Sequence, residues 1–488
     1  MPKIIILGID GLDPFLINEW KLDLPHFHKL LEQYSNIFVE STFPPDSICA
    51  WASIFTGENP AEHGLIESID YLAAKKNGKR KDRTVAFKGK TFWDIASSNG
   101  KKVCVINPFL AYPAWSVNGC MVSGPVFETG DISAIPSDIL SRFEFPPLGG
   151  MVDFPAKKEL GSFVTEAIVV TKQLAEVGLK LYEHQNPDLF FLTFLTLDRI
   201  KHFLWRFTDT NDPYFQSRNR FRNVIKDFYR LFDSIIGSFL SRMGKNTVMI
   251  VMSDHGHRRR CSMLFNLNEW LRQNHYITTN GKGINRFAKI IAERAKVFTI
   301  TALARWSLED WIYRIAKLVP NRKSLKNSMY LVDKDKSRVF LARICGANPF
   351  GGVDINIQDS EEYEKTRDDI IRKLLAINES MDKKVVLWAK RREDVYEGQF
   401  SYRLPDVVFE LDGDYGVGMN FYVPLITTNY TYKKISGGHK TEATFIAYSS
   451  GGPPNVPRPR TVMEVHKYIL TLLEISDPEK VKHEDLSS

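Results

Sequence analysis

Residues 36–64 read NIFVESTFPPDSICAWASIFTGENPAEHG. The first seven have the β-branched and aromatic content of a strand. Pro44 and Pro45 halt it, because proline donates no ladder hydrogen bond. An apolar segment from Ile48 to Phe55 follows and stops at Thr56-Gly57. The pattern predicts strand, tight turn and helix, with Ser47 at the helix N-terminus. Unsatisfied backbone N–H groups and the positive end of the helix dipole there face whatever lies beside the hydroxyl. Taken by itself, Ser47 at such a position reads as a helix cap. The rest of the chain decides otherwise.

Outward from this stretch, several short runs are too uniformly hydrophobic for half-exposed antiparallel strands: KIIILGI, KVCVIN, DLFFLTFL, TVMIVMS, KVVLWA, PDVVFEL and TFIAYS. Buried parallel strands have this composition. Helical patterns separate most of them, at Pro14–Glu32, Thr91–Ser98, Ser162–Tyr182, Tyr214–Met243, Ser360–Ala376 and Thr461–Glu474. The alternation predicts an α/β sheet covered on both faces.

The 488 residues exceed what one compact core organises, so an insertion or second domain is expected. The N-terminus enters the strand IIILGID directly, which is too short and wrongly flanked for a leader. No run reaches the roughly 20 apolar residues of a spanning helix. Five scattered cysteines with no C-x-x-C spacing fit free thiols in a reducing compartment. These features argue for a cytoplasmic protein.

The chemistry-bearing residues fall at strand ends. IIILGI ends at Asp10, FFLTFLTL at Asp198, and VMIVMS at Asp254, with His255 next. In open α/β sheets ligands bind outside the carboxyl ends of the strands, so one rim gathers three carboxylates and Ser47. Three carboxylates in one cleft resist ionisation unless a cation neutralises them. Asp198 and His202 have i, i+4 spacing and share a face of a helical turn. His439 lies in ISGGHKTEAT, where Gly437 and Gly438 permit close backbone approach. Mixed Asp/His ligation favours zinc or another borderline transition metal over magnesium or calcium.

In this order the motifs resemble the alkaline phosphatase superfamily, and within it the type I phosphodiesterase/nucleotide pyrophosphatase family, in particular its prokaryotic predicted phosphohydrolase and phosphomutase group. They are G-I-D-G, P-P-x-S-x-x-A-W-x-S-x-F-T-G-x-x-P-x-x-H-G, D-x-x-x-H, S-D-H-G and a late G-G-H, spanning residue 3 to about 450. The resemblance implies an alkaline-phosphatase-like, mostly parallel sheet sandwiched by helices. It also implies two divalent metal ions, zinc or alternatively manganese. Asp198, His202 and His439 would hold one; Asp10, Asp254 and His255 would hold the other, with Ser47 as bridging nucleophile. The implied activity is hydrolysis of a phosphate-ester substrate through a phosphoserine. Thr56, Gly57, His63 and Gly64 match positions that look structural, and packing is the expected role of His257, with a contact behind the metal ligands or to substrate as the alternative.

Three departures narrow the resemblance. Nucleotide pyrophosphatases of this branch carry a Thr nucleophile and an Asn three residues on, where this chain has Ser47 and Ala50. Sulfatases need C-x-P-x-R, which Ser47-Ile48-Cys49-Ala50-Trp51 lacks. The long insertion that phosphoglycerate mutases carry after the nucleophile has no counterpart here.

The net charge of +7 is concentrated: Lys282 to Lys326 holds eleven Lys/Arg against Glu293, Glu309 and Asp310. The expected organisation is a catalytic α/β core over 1–260 and 331–475, a basic helical cap over 261–330 and a polar tail over 476–488. Packing of Phe298, Ile300, Leu303, Trp306, Trp311, Ile312 and Ile315 under the cap is the commoner arrangement. The alternative is a membrane surface, or a polyanionic or lipid-linked substrate, drawn to this segment. Nucleic acid is not expected, since no recognition motif accompanies the charge. Rival readings of the whole chain are a phosphomutase or phosphonate-transfer enzyme on the same core, or a non-catalytic polyanion- or membrane-binding protein.

Overall fold

The computed structural model describes residues 2–34, 36–66, 88–126, 130–150, 154–280, 283–306, 308, 311 and 328–475. By compactness the chain divides into two units. One comprises Met1–Thr210, Gln216–Arg258 and His439–Ser488; the other comprises Asn211–Phe215 and Arg259–Gly438.

The first unit is built on an eight-stranded sheet: β1 Lys3–Ile9, β2 Phe38–Glu40, β3 Val103–Ile106, β4 Gly119–Ser123, β5 Ser133–Ile135, β6 Leu189–Phe194, β7 Thr247–Met252 and β8 Glu442–Ser449. Their spatial order is β2-β8-β7-β1-β6-β3-β4-β5. β1 pairs in parallel with β6 and β7, and β3 with β6 and β4. β8 runs antiparallel to β7 and β2, and β5 to β4. TFIAYS, expected as a parallel strand, is therefore antiparallel. A run buried on both faces carries no record of its direction.

Alternate residues of β6 show how the sheet is covered. Phe191 faces α1 (Ser47–Thr56), with ring centroids 5.7 Å from Phe55 and 5.8 Å from Trp93. Phe190 points the other way, toward α2 (Leu160–Gln185) and, further along the chain, α4 (Val224–Leu240), 5.4 Å from Tyr182 and 5.6 Å from Phe239. Between them in sequence lies α3 (Thr196–Thr208), and the last described helix is α5 (Glu464–Leu472). Each buried ring stabilises by roughly 1.5–3 kcal/mol. The arrangement is an alkaline-phosphatase-like α/β fold.

Two expected helices are shorter than their patterns. Pro25 starts a new helix, so 14–32 divides into Pro14–Trp20, a 3₁₀ turn and Pro25–Leu31. The pattern at 214–243 is helical only over α4, Val224–Leu240.

After α1, Gly57 (φ 75°) ends the helix and Gly64 (φ 72°) ends the turn Pro60–His63. His63 ties this loop down: its Nδ1 accepts from Leu65 N at 3.1 Å, and its Nε2 lies 3.1 Å from Ser53 Oγ. Burial, aided by Lys90, pulls its pKa from 6.5 to about 3. As pH falls below 6.5 the unfolded chain therefore takes up a proton that the fold refuses, and stability drops toward the folded value. Between pH 7 and 5, His63→Gln is expected to lose about 2 kcal/mol less stability in urea than the parent does. Equal losses would show that His63 does not sense acid.

The second unit has its own core. Its four-stranded antiparallel sheet runs Val339–Leu341, Phe350–Ile355, Val407–Leu411, Val386–Arg391, and a three-stranded sheet contains Met263–Asn266. KVVLWA and PDVVFEL thus belong here and are antiparallel, and residues 331–438, expected in the catalytic core, lie in this unit. The helix Ser360–Ala376 buries Ile370 and Leu374 among Phe265, Trp270 and Phe409. That cover makes PDVVFEL as apolar as a central strand. The strand Met263–Asn266 lies inside the 261–330 segment expected to be a helical cap. Within the expected 261–330 cap the helices described are Leu267–Gln273 and Gly283–Arg305; residues 281–282, 307, 309–310 and 312–327 lie outside the described residues.

Candidate active site

The parallel strands deliver their acids to one rim. Asp10 follows β1, Asp254 and His255 follow β7, and Asp198 lies in the first turn of α3 just beyond β6. His202 sits one turn further along α3, and His439 on the strand Gly437–Lys440 that leads into β8. All seven residues singled out in the sequence come together in the first unit.

Ser47 is the first residue of α1, and the cap is its neighbour: the Asp46 carboxylate accepts from Ile48 N at 3.0 Å. Capping therefore does not account for the Ser47 hydroxyl, whose Oγ lies 3.1 Å from His255 Nε2. His255 Nδ1 is 3.0 Å from the Gly256 carbonyl, and His439 Nδ1 is 2.8 Å from the Pro45 carbonyl. A carbonyl can only accept, so each Nδ1 carries the proton and each Nε2 presents a lone pair to the cleft.

Two clusters result. In the first, Asp198 Oδ1 lies 3.3 Å from His202 Nε2 and 3.4 Å from His439 Nε2, and the two Nε2 atoms are 2.9 Å apart. In the second, His255 Nε2 lies 3.7 Å from Asp10 Oδ1 and 3.2 Å from Asp254 Oδ2. Ligands on a tetrahedral zinc at 2.0–2.2 Å stand roughly 3.3–3.6 Å apart, close to both sets of spacings. Asp10 Oδ1, Asp198 Oδ1 and Asp254 Oδ2 are buried without hydrogen-bond partners, a costly arrangement that a cation would relieve. The donor set fits a borderline divalent metal.

The electrostatics agree. Burial, with the charges of Asp254 and Asp198, raises Asp10 well above the carboxylate range, and burial together with Asp198 pushes Asp254 up to about 7. Burial also acts to raise Asp198, yet His202, His257 and His439 hold it well below its ordinary value. Burial depresses His202 and His255; at His439 burial acts the same way, but Asp198, Asp46 and Asp254 together raise it.

Three further residues shape the site. His257, expected chiefly to pack, places Nδ1 3.4 Å from Asp198 Oδ1 and stacks on Trp205 at 5.6 Å. With Asp198, His255 and the half-buried His439 it forms a group that could hold a metal. Its i, i+2 spacing from His255 in extended backbone is the signal that could have revealed it. Lys201 is fully buried between Asp198 and His202; its Nζ donates to the Gly11 carbonyl and lies 3.3 Å from the Tyr229 hydroxyl. Burial pulls its pKa down to about 8 against the attraction of Asp13 and Asp198. Asp13 accepts from His257 N at 3.0 Å and pairs with Lys440 at 2.7 Å. The lysine pattern within D-R-I-K-H is that of a surface helix, which hides such burial from sequence.

Fold and site together define an alkaline-phosphatase-like α/β protein with a candidate metal centre. The type I phosphodiesterase / nucleotide pyrophosphatase family matches residues 4–432. The chain belongs to that family. Among solved structures it is similar to the phosphonoacetate hydrolase of Sinorhizobium meliloti 1021 in complex with phosphonoformate (15% identity, 97% of this chain and 95% of that one, TM-score 0.52). The same enzyme with phosphonoacetate gives 14% identity, 97% and 95% coverage, and a TM-score of 0.53. A murine ectonucleotide pyrophosphatase / phosphodiesterase 5 in complex with AMP gives 12% identity, 98% and 96% coverage, and a TM-score of 0.47. No curated protein sequence matches the chain.

Proposed function

We propose that this protein is a metal-dependent phosphoric ester hydrolase that works through a phosphoserine on Ser47. The observation that carries the reading is the Ser47 hydroxyl, 3.1 Å from His255 Nε2 and beside three carboxylates with orphan oxygens. Asp198, His202 and His439 would hold one divalent ion, zinc or manganese, and Asp10, Asp254, His255 and Ser47 Oγ the other. When bound, such ions lower the pKa of a coordinated hydroxyl and stabilise charge on phosphoryl and leaving oxygens.

The chain's own residues do the rest. Ser47 Oγ attacks phosphorus in line, forming the Ser47 O–P bond as the bond to the leaving oxygen breaks. The N-terminus of α1 directs backbone N–H groups at the phosphoryl oxygens. Trp51 Nε1 donates to Asp10 Oδ2 at 3.2 Å, and Gly11 N to Asp254 Oδ1 at 3.1 Å, so both carboxylates are aimed before substrate arrives. Water then displaces Ser47 from phosphorus, and the serine recovers its proton.

A phosphodiester is the first substrate class to test, because the matching family is described as a type I phosphodiesterase / nucleotide pyrophosphatase. After loading with zinc or manganese, turnover of bis-nitrophenyl phosphate is expected to exceed that of nitrophenyl phosphate. No turnover of either would overturn the hydrolase reading. Phosphonate cleavage is a second reading, favoured by the likeness to a phosphonoacetate hydrolase; phosphonoacetate belongs in the same assay.

A further inference from the structure

The loop Gly11–Asp13, which leaves β1 just after Asp10, is tied to every other segment that carries a candidate ligand. The Gly11 carbonyl accepts from the Lys201 ammonium, which lies between Asp198 and His202 on α3, and Gly11 N donates to Asp254 Oδ1 at 3.1 Å. The Leu12 carbonyl accepts from Ser253 Oγ and Thr444 Oγ1, both at 2.8 Å. Asp13, 1% exposed, supplies the remaining ties. Its Oδ1 accepts from Phe15 N and Leu16 N, each at 3.0 Å, and so caps the helix Pro14–Trp20. Its Oδ2 accepts from His257 N at 3.0 Å, two residues beyond His255, and from the Lys440 ammonium at 2.7 Å, next to His439. The fit is close: a Cβ on Gly256 would stand 2.1 Å from the Glu442 carbonyl oxygen and 3.0 Å from Asp13 Oδ2.

The two carboxylate oxygens divide the labour. A helix cap needs one acceptor, and Oδ1 provides it. Oδ2 is spent on two segments that have no part in that helix, through hydrogen bonds that its charge strengthens. Asp13, His257 and Lys440 are distant in sequence, so no local structure fixes their spacing. Metal ligands tolerate little error in spacing, and their supporting hydrogen bonds set it. We propose that Asp13 is a positioning residue for the metal ligands: through Oδ2 it holds the His255 and His439 segments in register with Asp10. It lies outside both ligand sets and acts through the His257 backbone and the Lys440 side chain. The inference rests on the metal-centre reading of the proposed function.

Asp13→Ser separates the two roles. Serine caps a helix about as well as aspartate but carries no second oxygen for His257 N and Lys440. Zinc affinity, measured by competition with a chromophoric chelator, is expected to fall about 10–100-fold. The visible spectrum of the cobalt-loaded protein should change as well, because it reports ligand geometry. The double variant Asp13→Ser/Lys440→Met removes the ammonium that the single change leaves unpaired. It should recover thermal stability in the metal-free protein while keeping the weak zinc affinity and the altered cobalt spectrum. Zinc affinity within about threefold of the parent, with an unchanged cobalt spectrum, would overturn the proposal. Parental affinity in the double variant would also overturn it, reducing Asp13 to the counter-ion of Lys440. A parent protein that binds no metal would instead overturn the metal-centre reading, and this inference with it.

Discussion

Ser47→Ala is expected to lower kcat on a phosphodiester by at least about 10³-fold while leaving bound metal, KM and thermal midpoint nearly unchanged. The expectation rests on the division of labour at the start of α1. Asp46 already caps the helix, so removing the Ser47 hydroxyl takes away no cap bond. What it removes is the oxygen 3.1 Å from His255 Nε2. Asp10, Asp254 and His255 remain to hold a metal, and the α1 N-terminus remains to bind phosphate, so substrate affinity should survive. A rate within tenfold of the parent would reduce Ser47 to a first-turn residue. A loss of stability in place of activity would return it to the structural role that the short stretch alone suggested.

Asp254→Asn should move stability in opposite directions with and without metal. In the metal-free protein Asp254 is pushed up to about 7, chiefly by burial and next among the opposing charges by Asp198. A carboxyl whose pKa is higher in the fold than in the unfolded chain costs stability as pH rises from 3.8 toward 7. That cost is fully present above 7. Asparagine removes the ionisation, so at pH 8 the metal-free variant should be more stable than the metal-free parent, on the order of 2–4 kcal/mol. With zinc or manganese the order reverses, because the parent gains binding free energy that the variant cannot match. For the same reason the parent's metal affinity should weaken below about pH 7, where the cation must displace a proton. Thermal scans of both proteins, with chelator and with metal, check the crossing. Equal metal content and equal rate in the variant would remove Asp254 from the ligand set.

Much of this site is readable from the chain because it is built from strand ends. Parallel strands such as KIIILGI and TVMIVM are buried on both faces, and the first polar residue after each lies near the rim where ligands bind. Asp10, Asp254 and His255 could be placed without coordinates for that reason. Asp198 and His202 added a helical spacing, and the glycines before His439 marked a close approach. What stayed hidden depends on packing across distant elements. Lys201 reads as a solvated helix lysine until Gly11 and Tyr229 are seen to enclose it. His257 reads as packing until Asp198 is found beside it. Strand direction was lost at TFIAYS and PDVVFEL because cover on both faces erases the alternation that tells antiparallel from parallel, whereas KVVLWA is a half-exposed edge strand whose apolar run only resembles a covered one. Phe298 and Trp306, expected to pack, are exposed at 75% and 71%, because amphipathic spacing shows that a helix has an apolar face, not what that face meets.

The central claim is that Ser47 forms a covalent bond to phosphorus, and the stereochemical course at phosphorus tests it most directly. With a phosphate diester made chiral by oxygen isotopes and sulfur, two successive in-line displacements predict net retention of configuration. Net inversion would mean that water attacks phosphorus in a single step, contradicting the phosphoserine whatever the Ser47→Ala rate turns out to be.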